Sequence, residues 1–135
     1  MQSAYLDASA LVKLVVAEVE SSALERALAS VDAIFTSEIA HVEVARGLRR
    51  IAGDESLVAL GEHLLAACAH VPFDTAIRRA AARSPTSLAT LDAIHLASVL
   101  SVRDVCETIV TYDRRLGAAS GEAGLTVVAP GQAPR

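Results

Sequence analysis

The sequence predicts a single-domain α/β protein: a three-layer α/β/α sandwich around a mostly parallel sheet of four to five strands. Three observations carry that prediction. Short strand-like runs such as "AYL", "AIFT" and "TIVTY" alternate along the chain with longer segments of helical period. Those runs are continuously apolar rather than alternating, as strands covered on both faces are. The 135 residues contain no repeat, low-complexity stretch or linker, and a chain of this length closes one ordinary core. Residues 1–130 are the expected domain, and residues 131–135 the expected frayed tail.

The elements follow in order. "AYL" (4–6) reads as the first strand, followed by Asp7 and then by Ser9 as the N-cap of a helix over 10–19. Leu24 and Leu28, four apart with Ala27 beside them, place a second helix over 22–30. "AIFT" (33–36) is the second strand, and Ser37 caps a helix over 38–52. "GDES" (53–56) turns into a helix over 57–69. "HVPF" (70–73) makes at most a short edge strand, because Pro72 has no amide to give a ladder. Asp74 caps a helix over 75–83, and "SPTS" (84–87) is a loop. Then come the apolar helix "TLDAIHLASV" (90–99), the β-branched strand "TIVTY" (108–112), a short helical piece from Arg114 and a last strand, "LTVVA" (125–129).

Composition excludes several classes. Charges from Asp7, Lys13 and Glu18 onward interrupt every apolar run short of a bilayer span. Met1-Gln2-Ser3 lacks the basic start of a signal peptide. Cys68 and Cys106 form no CxxC pair, so reduced thiols in a cytoplasmic protein are expected. With a net charge of −4, nucleic-acid binding would depend on local basic patches rather than on the overall field. Eleven of the twelve basic residues are arginine, which we attribute to codon bias. The apolar fraction of 53%, much of it from 27 alanines, leaves surface suited to a partner.

The helix over 90–99 raises the functional question: apolar around almost its whole circumference, it still carries Asp92. In an open parallel sheet, ligands bind beyond the carboxyl ends of the strands. Asp7 directly follows "AYL" and Asp113 directly follows "TIVTY", so both fall at that edge. Glu43 and Asp92 come from helices with apolar surroundings, where an unpaired carboxylate is costly. Singly, each acid has a plainer role. Asp7 and Asp113 read as turn or cap residues, Glu43 as a partner of Arg46 or Arg50, and Asp92 as a charge at the positive end of its helix, with Ser87 or Thr90 as the cap. Together they make sense around a divalent cation, since carboxylate oxygens suit Mg²⁺ or Mn²⁺. His41, His63, His70 and His95 show no zinc-ligand spacing, and His95 reads as a packed core histidine.

"YLDASALVKL", "SEIAHVEVARGLRR", "LDAIHLASVL" and "VTYDRRLGAASGEAGLTVVAP", in that order and at that spacing, resemble the segments of PIN-domain proteins. The resemblance is to the VapC-type toxins of bacterial toxin–antitoxin pairs, and it covers essentially the whole chain. It implies a PIN-like fold and an Mg²⁺-dependent endoribonuclease, with Mn²⁺ able to substitute. The family's acidic quartet falls on Asp7, Glu43, Asp92 and Asp113. The resemblance implies that Asp7, Asp92 and Asp113 hold the metal and that Glu43 completes the site or positions the attacking water. Ser9 and Thr111 match small hydroxyl positions that support the quartet. The implied partners are a VapB-like antitoxin, an RNA substrate and a second copy in a homodimer, with no membrane.

Converging carboxylates repel, so some should hold protons unless a cation is present. A cation among them activates water and offsets charge on the phosphate, and attack by water leaves 5′-phosphate and 3′-hydroxyl ends. RNA contacts are expected from Arg46 and Arg50 after Glu43 and from Arg114 and Arg115 after Asp113. Arg49 and Arg78 read as solvated surface. With four aromatic residues (Tyr5, Phe35, Phe73, Tyr112), base stacking is not expected to drive recognition. Two other readings compete. One is phosphoryl transfer to Asp7, as in haloacid-dehalogenase phosphatases or response-regulator receivers. The phosphatases need D-x-D where Ser9 stands, and receivers need a lysine near a late strand, whereas the single lysine is Lys13. The other is a non-catalytic RNA- or protein-binding module that keeps the fold alone.

Overall fold

The computed structural model describes residues 2–133. Within them one sheet runs in the order β3-β2-β1-β4-β5. Its strands are β1 (Ser3–Leu6), β2 (Ala33–Ser37), β3 (Ala69–Val71), β4 (Thr108–Val110) and β5 (Thr126–Val128). Every pairing is parallel, with Tyr5 opposite Phe35 and Leu6 opposite Val110 across the central strand. The three-layer class expected from the sequence is the one observed.

β1 is continuously apolar because it is covered on both faces. Ala4 and Leu6 pack into one core, and Tyr5 into the other. The first core lies under α1 (Ala8–Lys13), α2 (Ser21–Leu28), α3 (Ala40–Ala52) and α4 (Glu55–Ala66). The second lies under α5 (Thr75–Ala82), α6 (Thr90–Ser101) and α7 (Arg114–Glu122). Full burial of a side chain such as Leu6 or Ile109 contributes about 1.5–3 kcal/mol. α6 is apolar all round because Ala93 through Val99 are all buried.

α3 buries Ala40, Val44 and Leu48, a stripe at four-residue spacing. It meets α4 at Gly61, where a Cβ would come within 2.9 Å of Leu48 Cδ1 and 3.2 Å of Val44 Cγ1. Gly53, at φ +62°, ends α3 with its amide on the Arg49 carbonyl.

Several helix ends differ from the sequence expectation, most of all in α1, α3 and α6. α1 begins at Ala8, and its N-cap is Asp7 rather than Ser9, with Oδ1 accepting the Ala10 amide at 3.2 Å. It stops at Lys13 rather than 19 because Ser21 folds back on it. Ser21 Oγ donates to the Lys13 carbonyl at 2.7 Å and accepts the Glu18 amide at 2.9 Å, so a side chain satisfies the helix end. α3 starts at Ala40 after an Ile39 N-cap, with Ser37 Oγ accepting the Ile39 amide from just outside. α6 is capped by Ala89 without a side-chain bond, so neither Ser87 nor Thr90 fills that role.

Of the expected tail, residues 134 and 135 lie outside the described residues. Just before them, Tyr112 Oη donates to the Pro130 carbonyl at 2.8 Å, and Gln132 Nε2 donates to the Tyr112 carbonyl at 3.3 Å. Among the described residues, no helix is long and apolar enough to cross a membrane. Cys68 and Cys106 are free and buried.

Candidate active site

Four elements deliver acids to the carboxyl edge of the sheet. Asp7 leaves β1, Glu43 lies in the first turn of α3, Asp92 in the first turn of α6, and Asp113 begins α7 just after β4. Asp7 is the most enclosed, at 3% exposure. Its Oδ1 accepts Ser9 Oγ at 2.6 Å, and its Oδ2 accepts Thr111 Oγ1 at 2.6 Å. Burial pushes its carboxyl above the ordinary range, against the opposing pull of His95 and of these hydroxyls.

Both hydroxyls also reach the loop after β4. Ser9 Oγ accepts the Tyr112 amide at 3.0 Å, and Thr111 Oγ1 accepts the Asp113 amide at 3.1 Å. Asp113 in turn caps α7, its Oδ1 accepting the amides of Arg115 and Leu116 at 2.9 and 3.0 Å. The plainer role foreseen for Asp7 and Asp113 is therefore real. It does not compete with a site role, because capping is what fixes each carboxylate at the edge.

Asp92 and Asp113 sit close enough to share a hydrogen bond. Burial, followed by the neighbouring charges of Asp113 and Asp7, pushes Asp92 up to about 6. Glu43 departs from expectation: its structural partner is His95, not Arg46 or Arg50, with Oε1 2.7 Å from His95 Nε2. The other ring nitrogen, Nδ1, lies 2.7 Å from Tyr5 Oη. Burial opposes a charge on His95, but the Glu43 bond and the charges of Glu43, Asp7 and Asp92 outweigh it and raise its pKa.

His95 is the residue that sequence reasoning underrated. It is buried, at 1% exposure, as a core histidine should be, yet both ring nitrogens are engaged. The available signal was its spacing: three residues after Asp92, it shares that acid's helix face.

Among the described residues, no group of three or more His, Cys, Asp or Glu side chains is arranged to hold an ion as it stands. Both oxygens of Asp7, Oε1 of Glu43 and Oδ1 of Asp113 are engaged by Ser9, Thr111, His95 and the α7 amides. The donor set nonetheless suits Mg²⁺, a hard ion that takes one or two carboxylates and keeps several waters rather than needing a protein cage. The pairing of Asp92 with Asp113 is also the crowding of like charge that a cation relieves.

A groove of about 820 Å³ opens beside these acids. Ser9, Glu43 and Asp113 line it together with Arg46 and Arg50, and Val12, Ile39, Val42 and Leu91 make much of the remaining wall. Arg114 and Arg115 are exposed in the first turn of α7, outside that lining. Arg49 instead forms a two-pronged, exposed pair with Glu55 at 2.8 Å. Lys13, the single lysine, projects from α1, 3.1 Å from Glu20 and 4.8 Å from the Tyr112 ring centre. It is not placed on a late strand as a receiver requires.

Known proteins resemble this chain in sequence and fold. The PIN domain family model matches residues 4–122, a span that contains all four acids. Ribonuclease VapC35 of Mycobacterium tuberculosis is 42% identical over 96% of this chain and 98% of its own length. The chain belongs to the VapC group of the PIN-domain family. Ribonuclease VapC46 of the same organism is 37% identical to this VapC-group chain, over 96% of it and 99% of the relative. Among solved structures, Mycobacterium tuberculosis VapC20, described as a sarcin-ricin loop cleaving toxin, has a TM-score of 0.72 at 18% identity. That match covers 94% of this chain and 99% of the other. VapBC2 of Rickettsia felis, bound to a promoter DNA fragment, has a TM-score of 0.69 at 13% identity over 93% and 97% of the two chains. At such identities these neighbours show that the VapC-group PIN domain shares their fold.

Proposed function

We propose that this chain is an Mg²⁺-dependent endoribonuclease, with Mn²⁺ able to replace the ion, and the toxin of a type II toxin–antitoxin pair. One observation carries the reading. Asp7 is held through both oxygens by hydroxyls, beside the Asp92–Asp113 pair, at the edge of a groove lined by arginines. Asp7, Asp92 and Asp113 would hold the ion, and Glu43 would position the attacking water. The chemistry such an ion supplies is a water of lowered pKa and a counter-charge for the phosphate. Ser9 and Thr111 favour the ionised form of Asp7 by donating to it, against the effect of burial. Arg46 and Arg50 would contact phosphates along the groove, and Arg114 and Arg115 would do so at the start of α7.

The ribonucleases VapC35 and VapC46 support RNA as the substrate. A toxin–antitoxin complex from Klebsiella pneumoniae, a structural neighbour with a TM-score of 0.70, supports an antitoxin partner. The apolar wall of the groove suits a VapB-like antitoxin segment, and a basic side chain on that segment would reach Glu43 or Asp113. A cytoplasmic homodimer, each copy one domain over residues 1–130, completes the reading.

The test is end chemistry. Purified protein incubated with cellular RNA and Mg²⁺ should leave 5′-phosphates that ligate without kinase treatment, and excess chelator should stop cleavage. Products ending in 2′,3′-cyclic phosphate, or full cleavage in chelator, would sink the mechanism. Expression alone should arrest growth, and the small reading frame beside the gene should restore it.

A further inference from the structure

The Tyr5–His95–Glu43 chain crosses the molecule at a telling place. Glu43 belongs to α3, on one face of the sheet, and His95 to α6, on the other. Their 2.7 Å bond therefore closes over the carboxyl edge between the two helical layers. On the far side of the ring, Tyr5 Oη on the central strand fixes Nδ1 at 2.7 Å, and the two rings meet edge-on with centres 5.8 Å apart. The imidazole is 1% exposed and Tyr5 0%, so neither ring has room to turn.

Glu43 needs such a hold. Its side chain is long and 19% exposed, and it lines the groove. A free glutamate there would spread over several rotamers, and fixing one carries an entropic cost. The His95 bond selects the arrangement by taking Oε1, which leaves Oε2 as the oxygen available to the groove. Hydrogen placement does not depend on ring charge: a carboxylate only accepts, so Nε2 carries the hydrogen in the neutral and the charged imidazole alike. In the neutral ring, Nδ1 accepts from the Tyr5 hydroxyl, which burial keeps protonated. The same turn of α6 carries Asp92 three residues earlier, so one helical turn sets both Asp92 and, through His95, Glu43.

We propose that Tyr5 and His95 are positioning residues for Glu43, a two-bond brace from the central strand that aims one carboxylate oxygen into the groove. The proposal rests on the ribonuclease reading of this site and says how its fourth acid is aimed. A histidine that merely clasped the two layers would affect stability alone. A brace affects turnover in protein that remains folded.

The experiment compares wild type with Tyr5→Phe, His95→Gln and His95→Leu, using a pool of random-sequence single-stranded RNA oligonucleotides in saturating Mg²⁺. Glutamine sets an amide N–H near the place of Nε2, whereas leucine offers no donor. Misaiming a reacting group by about 1 Å costs on the order of 100-fold. His95→Leu should lose about that much in kcat with KM little changed, Tyr5→Phe about 10-fold, and His95→Gln should regain most of the leucine loss. Imidazole NMR supplies a readout apart from activity. The metal-free wild type should show a slowly exchanging Nε2–H proton that shifts in Glu43→Gln and exchanges faster in Tyr5→Phe. Folded His95→Leu or Tyr5→Phe protein with wild-type kcat overturns the brace, as does a wild-type spectrum without that proton. Should His95→Leu fail to fold, Tyr5→Phe decides alone, since it removes a single oxygen. A wild type that cuts nothing in the pool overturns the ribonuclease reading itself, and the brace with it.

Discussion

Thr111 donates its hydroxyl hydrogen to Asp7 Oδ2 at 2.6 Å across a separation of 104 residues, joining the ends of two adjacent parallel strands. Because Thr111 Oγ1 also accepts the Asp113 amide, one hydroxyl couples two of the four acids. Thr111→Val keeps the shape and removes both bonds. A buried acceptor left without a donor costs about 1–3 kcal/mol. Chemical denaturation of metal-free protein should show a loss in that range, and RNA cleavage should fall because Asp7 is held less firmly and is less readily ionised. An unchanged denaturation midpoint would show that the bond contributes nothing.

Stability of the metal-free protein should fall as pH rises. Asp92 goes from an ordinary 3.8 to about 6 in the fold, so the folded state binds its proton more tightly than the unfolded chain does. That contribution is complete below about 3.8 and is lost as pH passes through about 6. His95, also raised, adds a loss in the same direction that begins at higher pH, near its ordinary value of 6.5. Thermal melts in chelator between pH 4 and 8 check the slope, which Asp92→Asn should flatten over its lower half. A Tm that climbs across this range would contradict the assignment.

Addition of Mg²⁺ at neutral pH should reverse much of that loss. An ion that binds only the folded state stabilises it by about 2.7 kcal/mol at one hundred times its dissociation constant. Differential scanning calorimetry should show Tm rising with Mg²⁺ in wild type. The rise should be much smaller in Asp92→Asn and Asp113→Asn, although both variants should melt higher than wild type without metal. A wild-type Tm indifferent to Mg²⁺ and Mn²⁺ would remove the ion from this site.

The arginines can be separated by salt. Arg46 and Arg50 line the groove, whereas Arg49 is occupied by Glu55. For single-stranded RNA, each lost phosphate contact should reduce the slope of log affinity against log salt by about 0.7. Arg46→Gln and Arg50→Gln should each show that change in titrations without metal, and Arg49→Gln should not. Equal slopes for all three would place the RNA elsewhere.

Much of the fold was legible because its signals are local. Continuous apolar strands and the four-residue spacing of Leu24 and Leu28 depend only on period, and the structure follows them. Asp74 was readable as a cap by its place before a helix, and it accepts the Ile77 amide at 2.9 Å. What could not be read depends on partners distant in sequence. The early end of α1 comes from Ser21, eight residues beyond Lys13. The partner of Glu43 lies 52 residues away, and helical spacing alone pointed to Arg46 and Arg50. The four acids could be nominated from strand ends and apolar surroundings. The cap role of Asp7 and Asp113 was legible too, but that a histidine reaches Glu43 follows only from the packed arrangement.

The central place of β1, flanked by β2 and β4, also sets a timetable. Ser9 leaves the ribosome almost together with Asp7, but Thr111 follows 104 residues after that acid. A nascent chain carries Asp7 with half its hydroxyl partners, Glu43 before its histidine exists, and Asp92 before Asp113. Non-local strand pairs of this kind form late, after much of the chain is available. The strand order thus imposes a latency during synthesis: the set of four acids cannot be complete until residue 113 has emerged and β4 can dock beside β1.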